Sequence, residues 1–219
     1  MPTGEDALAT WCRVREQVDW ATAGAGAPAP GPAAVDGLAH WFDGPVRQRD
    51  AAPADRLLAA LALLRADAAR RAPLDATLLA GWQRLVLGVP HAPLRTGEAF
   101  AKGGRERYGL TPHTWRDLAA CLRQSADPAL PPAARAARAY LDVAFFHPFA
   151  DGNARLALLT LGYVLERAGG RLDEVGPLQT TRYPDDPAGA ADLAALVTVL
   201  LRATHRRSGR RHAPGTVPG

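Results

Sequence analysis

Residues 132–167 read PAARAARAYLDVAFFHPFADGNARLALLTLGYVLER, two helix-like runs separated by a short break at HPFADG. Pro131 and Pro132 open the first run where a helix tolerates proline, and the run continues to Phe146. The second begins near Asn153 and carries Leu156, Leu159, Leu161, Val164 and Leu165 before Gly169-Gly170 supplies a common helical stop. It is apolar on nearly every side, which places it at the centre of the molecule rather than on its surface.

The rest of the chain fits a helical protein around that pair. Leu8, Trp11, Val14 and Val18 recur at helical spacing, and AGAGAPAPGP over 23–32 then reads as a flexible connector that leaves the first helix as a loosely attached lobe. Helical segments follow over 34–42, 54–70 and 74–87, with Pro53 and Pro73 at helix starts and Asp75 available for a first turn. From Val89 to Gly109 the run VPHAPLRTGEAFAKGGRERYG sets Gly103-Gly104 between polar, extended arms, the pattern of a short hairpin. Thr111-Pro112 opens a helix ending near Gln124, and Asp185 or Asp186 with Pro187 opens a last one through Leu201. With no strand–helix alternation and no internal repeat, the class is all-α with one short β-hairpin. The expected division is 1–33 for the N-terminal helix and connector, 34–205 for the helical domain, and 206–219 for a basic disordered tail.

Composition narrows the function classes. The net charge of +4 points toward nucleic acid until it is located. Arg202, Arg206, Arg207, Arg210 and Arg211 lie in an acid-free end, and without them 21 basic residues face 22 acidic ones, so no nucleic-acid partner is expected. The longest charge-free stretches, Trp20–Val35 and Leu156–Leu165, are too broken or too short to cross a bilayer, and Glu5-Asp6 stands where a signal peptide needs base; a cytoplasmic protein without membrane contact is expected. Cys12 and Cys121 form no CxxC and read as small buried residues. His40, His91, His113, His205 and His212 have no metal-like spacing, and the five tryptophans fall on apolar helical faces. Lysine and asparagine occur once each, at Lys102 and Asn153, in a chain whose other 25 basic residues are arginines.

The chemistry sits in the break between the two central helices. A buried helix linker needs only small or capping residues, so His147, Asp151, Asn153 and Arg155 together there are costly unless they meet something polar. His147 suits a general base near neutral pH, and Asp151 offers a hard oxygen for Mg²⁺. Gly152 allows close backbone approach, the N–H groups opening the next helix form an anion site, Asn153 can donate a hydrogen bond, and Arg155 can clamp phosphate oxygens. Phosphoryl chemistry needs mostly such positioning and charge stabilisation.

The segment resembles the Fic/Doc (Fido) family, whose motif HxFx[D/E]xNxR is filled here by His147, Phe149, Asp151, Asn153 and Arg155, with Pro148 after the histidine. The resemblance covers residues 90–170 well. It implies a Fic-type helical fold with a β-hairpin flap and a transferase that moves part of a nucleotide, most often AMP from ATP, onto a protein hydroxyl. Position by position it makes His147 the base, Asp151 the Mg²⁺ ligand, Phe149 the loop anchor, and Gly152, Asn153, Ala154 and Arg155 the phosphate site. The flap, around Lys102, Gly103 and Arg105, would hold the Ser, Thr or Tyr side chain of a target protein by strand addition.

Two departures from the motif bear on the donor. The adenylylating branch reads GNGRxxR, whereas this chain has Ala154 for the second glycine and Leu158 for the second arginine. Leucine there resembles the Doc branch of protein kinases and toxins, and a catalytically silent interaction module is the third alternative. Arg95, Lys102, Arg105 and Arg107 are the flap residues able to replace the missing charge. The family's self-inhibitory string [S/T]xxxE[G/N] is not in the sequence, which leaves an antitoxin-like partner chain or an unrestrained enzyme.

Overall fold

The computed structural model describes residues 6–212. In chain order the elements are α1 (Ala7–Gln17), α2 (Trp20–Ala23), α3 (Gly37–Trp41), α4 (Arg47–Arg49), α5 (Ala51–Ala69), α6 (Ala76–Leu87), β1 (Ala99–Ala101), β2 (Glu106–Tyr108), α7 (Thr114–Arg123), α8 (Pro132–Phe146), α9 (Asn153–Arg167) and α10 (Pro187–His212). A π-helical turn over Phe42–Val46, containing Pro45, joins α3 to α4. The fold is helical, and among the described residues the one sheet is the antiparallel pair β1–β2, in which Phe100 faces Arg107.

α9 is the axis. Leu156, Leu159, Leu161 and Leu165 are at most 1% exposed, and each such leucine stabilises the fold by about 1.5–3 kcal/mol. α8 covers one side of α9, α5 and α6 cover another, and α10 packs on the far side of α8. Short acidic side chains fix several starts: Asp50 accepts from Ala52 N–H and Asp75 from Leu78 N–H, satisfying donors that a helix end otherwise leaves open. Gly88 in the left-handed region ends α6.

Two segments differ from the sequence expectations. α1 is docked rather than loose: Trp11 is fully buried, its ring centroid 5.1 Å from that of Phe145. The Asp142 carboxylate, itself fully buried in α8, accepts from Trp11 Nε1 at 3.1 Å and Arg15 Nε at 2.7 Å. Undocking α1 would leave the buried Asp142 carboxylate without its arginine, a costly uncompensated charge, so the connector after α1 joins two parts of one core. α10 runs past Leu201 to His212, and Arg207 closes an ion pair with Asp173; residues 213–219 of the expected tail lie outside the described residues. By length and composition α10 could cross a membrane, but its face Leu193, Ala194, Val197 and Leu201 is part of the protein core.

Candidate active site

His147 caps α8 in the left-handed conformation, φ 49° and ψ 56°. For a non-glycine residue this costs about 1–2 kcal/mol, and the surrounding bonds hold it. Arg95 donates from Nε to the His147 carbonyl at 2.8 Å, from Nη2 to Phe146 O at 3.3 Å and Gly109 O at 2.7 Å, and from Nη1 to Gly97 O at 2.5 Å. Its backbone N–H reaches the Pro148 carbonyl at 2.9 Å. One buried guanidinium therefore ties both feet of the hairpin to the corner that carries His147. It is spent on carbonyls and is not free to replace the charge missing at Leu158.

The remainder of the loop is equally determined. Phe149 is 1% exposed. The Asn153 amide accepts from Phe149 N–H at 3.0 Å and donates to Phe149 O at 2.8 Å, so its side chain locks the loop. Gly152 has φ +77°, and a Cβ there would lie 2.7 Å from Gln83 Nε2, so glycine alone fits both the conformation and the space. Gln83, buried in α6, donates in turn to the Asp151 carbonyl. The Asp151 side chain is 79% exposed, accepting from Gly152 N–H at 2.5 Å and standing 3.4 Å from Arg155 Nη2. Beside it the N–H groups that open α9 have no intrahelical acceptor and lie at the positive end of the helix.

His147 also lines a cavity of about 350 Å³ closed by Lys102, Glu106 and Tyr108 of the hairpin, Tyr140 and Ala144 of α8, Ala154 of α9 and the 179–182 loop. Asp151 and Arg155 stand at the outer side of the loop and are not among its lining residues. Tyr108 stacks on the imidazole, with ring centroids 4.5 Å apart and planes 14° from parallel, and its hydroxyl donates to Glu106 at 2.5 Å. Burial pushes the His147 pKa down; the Ala144 carbonyl opposes this, Arg95 adds to it, and Glu106 and Asp151 oppose it. The neutral imidazole is thus favoured.

Lys102, Gly103 and Arg105 divide. Lys102 donates to Glu106 Oε1 and to the Arg182 carbonyl, both at 2.6 Å, and lies 3.8 Å from the centroid of the Tyr183 ring. It is a latch between the hairpin and the 179–183 loop. Gly103 and Gly104 make the turn, both with positive φ, and Arg105 donates back to the Lys102 carbonyl at 2.9 Å. Arg107 is paired with Glu98 at 2.5 Å. Leu158 is 4% exposed and belongs to the core, so burial accounts for its identity. Two cations line the cavity: Lys102, spent on Glu106 and the Arg182 carbonyl, and Arg182, whose Nη1 donates to Gly189 O at 3.3 Å and whose Nε is buried without a partner. Arg182 and Tyr108 escape a sequence reading because their roles depend on the hairpin and the 179–182 loop folding over one spot.

Among the described residues no group of three or more His, Cys, Asp or Glu could enclose a metal. An exposed carboxylate beside an anion site still suits Mg²⁺, which commonly takes one protein carboxylate, substrate phosphates and water. Neither cysteine is a buried residue as expected: Cys12 is exposed on α1 and Cys121 half-buried on α7; the Cys121 thiol is pushed up to about 12, chiefly by its partial burial and then by Asp142.

No curated protein matches the sequence. Among solved structures, Fic-1 (residues 134–508) from C. elegans is similar at 16% identity and TM-score 0.52, over 94% of this chain and 72% of that one. IbpAFic2, solved covalently tethered to Cdc42, is similar at 13% identity and TM-score 0.52, over 93% of this chain and 65%, just under two thirds, of that one. At these identities the likeness is one of fold. The segment holding α6, the hairpin, α7, α8 and most of α9, residues 74–165, matches the model of the Fic/DOC family.

Proposed function

We propose that the protein is a Mg²⁺-dependent transferase that moves AMP from ATP onto a Ser, Thr or Tyr hydroxyl of a target protein. The match of residues 74–165 to the Fic/DOC family supports the class, and the observation that carries the reading is His147. Its Nδ1 lies 3.3 Å from the Ala144 carbonyl, which assigns the proton to Nδ1 and leaves the Nε2 lone pair to take the proton of an incoming hydroxyl. The hydroxyl oxygen then bonds to the α-phosphorus of ATP, the bond from that phosphorus to the bridging oxygen breaks, and pyrophosphate leaves. The open N–H groups of α9 and the Arg155 guanidinium oppose the negative charge on the phosphate. Arg182 serves the cavity side, where Leu158 supplies no charge. Asp151 would hold the Mg²⁺, which when bound neutralises phosphate charge.

The solved IbpAFic2 was captured with a protein, Cdc42, which supports a protein target here. Strand β1 offers the docking edge, with Phe100 53% exposed on it. ATP and such a target would meet this enzyme in the cytoplasm. The lack of a second arginine at the motif's end leaves a second reading, in which the terminal phosphoryl group is transferred and ADP leaves, as in the Doc branch; an antitoxin-like chain would then restrain it. Intact-protein mass spectrometry of a lysate incubated with the protein, ATP and Mg²⁺ separates the two. A gain of AMP on a target, lost in His147→Asn, supports the first reading, and a gain of phosphate replaces it with the second. No mass gain on any protein leaves a silent interaction module.

A further inference from the structure

At the opposite end of α9 from His147 lies a second cavity, of about 420 Å³. Some dozen residues of helix, about 20 Å at 1.5 Å per residue, separate the two. Four arginines line it, Arg71, Arg123, Arg135 and Arg167, over an apolar wall that includes Leu122 and Val164, and no acidic side chain lines it. Helix ends explain part of this cation cluster, since Arg123 closes α7 and Arg167 closes α9, where positive charge is favourable. They do not explain Arg135. Arg135 sits in the opening turns of α8, the end of a helix that disfavours a cation. Arg71 follows the last turn of α5, its N–H bonded to Ala68 O and that of Ala72 to Asp67 O, both at 3.0 Å; its φ of 55° closes that helix at a position glycine more often fills.

The guanidiniums are also incompletely satisfied. Arg135 Nε and Arg167 Nε are both buried without a hydrogen-bond partner. The Arg135 Nη1 reaches Ser125 O only at 3.5 Å, while Arg167 Nη1 is held by the Ala72 carbonyl and Tyr163. Burial depresses the Arg135 guanidinium pKa; Asp127 opposes this and Arg167 adds to it. Buried donors without acceptors are costly, and four cations around a partly apolar cavity of ligand size form a receptor for negative charge.

We infer that this cavity is a second binding site, for a small molecule bearing two or more phosphate groups, separate from the transferase centre. The apolar wall gives the organic part of such a ligand a surface to rest on. The inference is independent of the transferase reading, because it rests on residues that take no part in it.

The test uses inorganic pyrophosphate as probe, titrated by calorimetry into the full chain carrying Arg155→Ala, which removes the guanidinium clamp of the transferase centre. Binding should persist there and weaken roughly tenfold or more when Arg135→Gln or Arg167→Gln is added. Arg71→Gly is the decisive variant. It relaxes the backbone, so thermal stability should hold or rise while pyrophosphate affinity falls, an outcome that a purely structural role for Arg71 does not produce. The inference is overturned if the Arg155→Ala protein binds no pyrophosphate at millimolar concentration, or if binding ignores Arg71→Gly and Arg135→Gln alike. Tighter binding of a single-stranded RNA oligonucleotide at the same arginines would likewise overturn the small-molecule assignment in favour of nucleic acid.

Discussion

The loop from His147 to Arg155 and the hairpin from Ala99 to Tyr108 meet at one cavity and are built in opposite ways. In the loop, Arg95, Gln83 and Asn153 fix successive carbonyls and N–H groups from three directions, and Phe149 is sunk in the core. In the hairpin two three-residue strands are held mainly by each other, by the Lys102 latch and by the Arg95 brace at its feet. A short strand pair gains little stability by itself. Rigidity lies where an atom must be placed within fractions of an ångström, and spare backbone edge lies where a partner chain can pair with it. Under the proposed function, that difference would give chemistry to the loop and selection to the hairpin.

The sharpest way to break that division is to remove the base. His147→Asn keeps a residue tolerant of the left-handed corner but has no ring nitrogen to accept a proton. Transfer should fall by about 10²–10⁴-fold with the circular dichroism spectrum and melting temperature close to wild type. Activity within a few-fold of wild type would show that the loop positions substrates without acting as a base.

Next in size is Leu158→Arg. Leu158 and Arg155 are three residues apart, which on an ideal helix puts both on neighbouring sides, and from spacing alone an arginine there should join the phosphate site. The structure places Leu158 in the core, so the charge would be buried without a partner and should cost about 3 kcal/mol of stability, read by urea denaturation. A variant that unfolds at the wild-type urea concentration and binds ATP more tightly would put that side chain in the anion site after all.

This position shows where sequence stops being legible. The helix pair, the hairpin and the motif residues can all be found by periodicity, glycine placement and residue chemistry, because those signals are local. What Leu158 faces depends on how α9 is turned in the core, and the inward side chain of Asn153 depends on the six-residue loop 147–152 choosing its own hydrogen bonds. Arg182 and Tyr108 are brought to His147 from about 35 residues on either side, and Asp142, which fastens α1, is an ordinary carboxylate in an alanine-rich helix until Arg15 meets it. None of these contacts has a spacing that a linear pattern records.

Gly152→Ala tests the rigidity of the loop directly. The added Cβ would sit 2.7 Å from Gln83 Nε2 and 3.2 Å from Leu87 Cδ2, on a backbone at φ +77°. The strain should cost about 2 kcal/mol in urea or thermal unfolding and lower transfer with it. In the hairpin, Phe100→Pro should do the reverse: it removes an edge N–H, so target modification should drop roughly tenfold, about 1.4 kcal/mol, while ATP affinity and melting temperature hardly change. Equal losses in target modification and ATP affinity would erase the distinction between the two regions.

The smallest expected effect is in the pH profile. Burial is the leading cause that lowers the His147 pKa, so the imidazole holds its proton less well in the folded protein than the ordinary value of about 6.5 implies. The folded state therefore binds fewer protons than the unfolded one between the depressed pKa and about 6.5, and in that window stability rises with pH through this group. The same shift keeps the base form available below about 6.5, so the acid limb of kcat/KM for the free enzyme should fall below that pH. The Tyr108 ring, stacked at 4.5 Å, is part of the burial, and it belongs to the hairpin, not the loop. Tyr108→Ala should open the imidazole to water and move the limb upward toward 6.5, while the rate at higher pH, set by the loop, changes less. A limb that stays in place would mean that α8 and the loop alone desolvate His147, and that the hairpin contributes to selection but not to the acid–base chemistry.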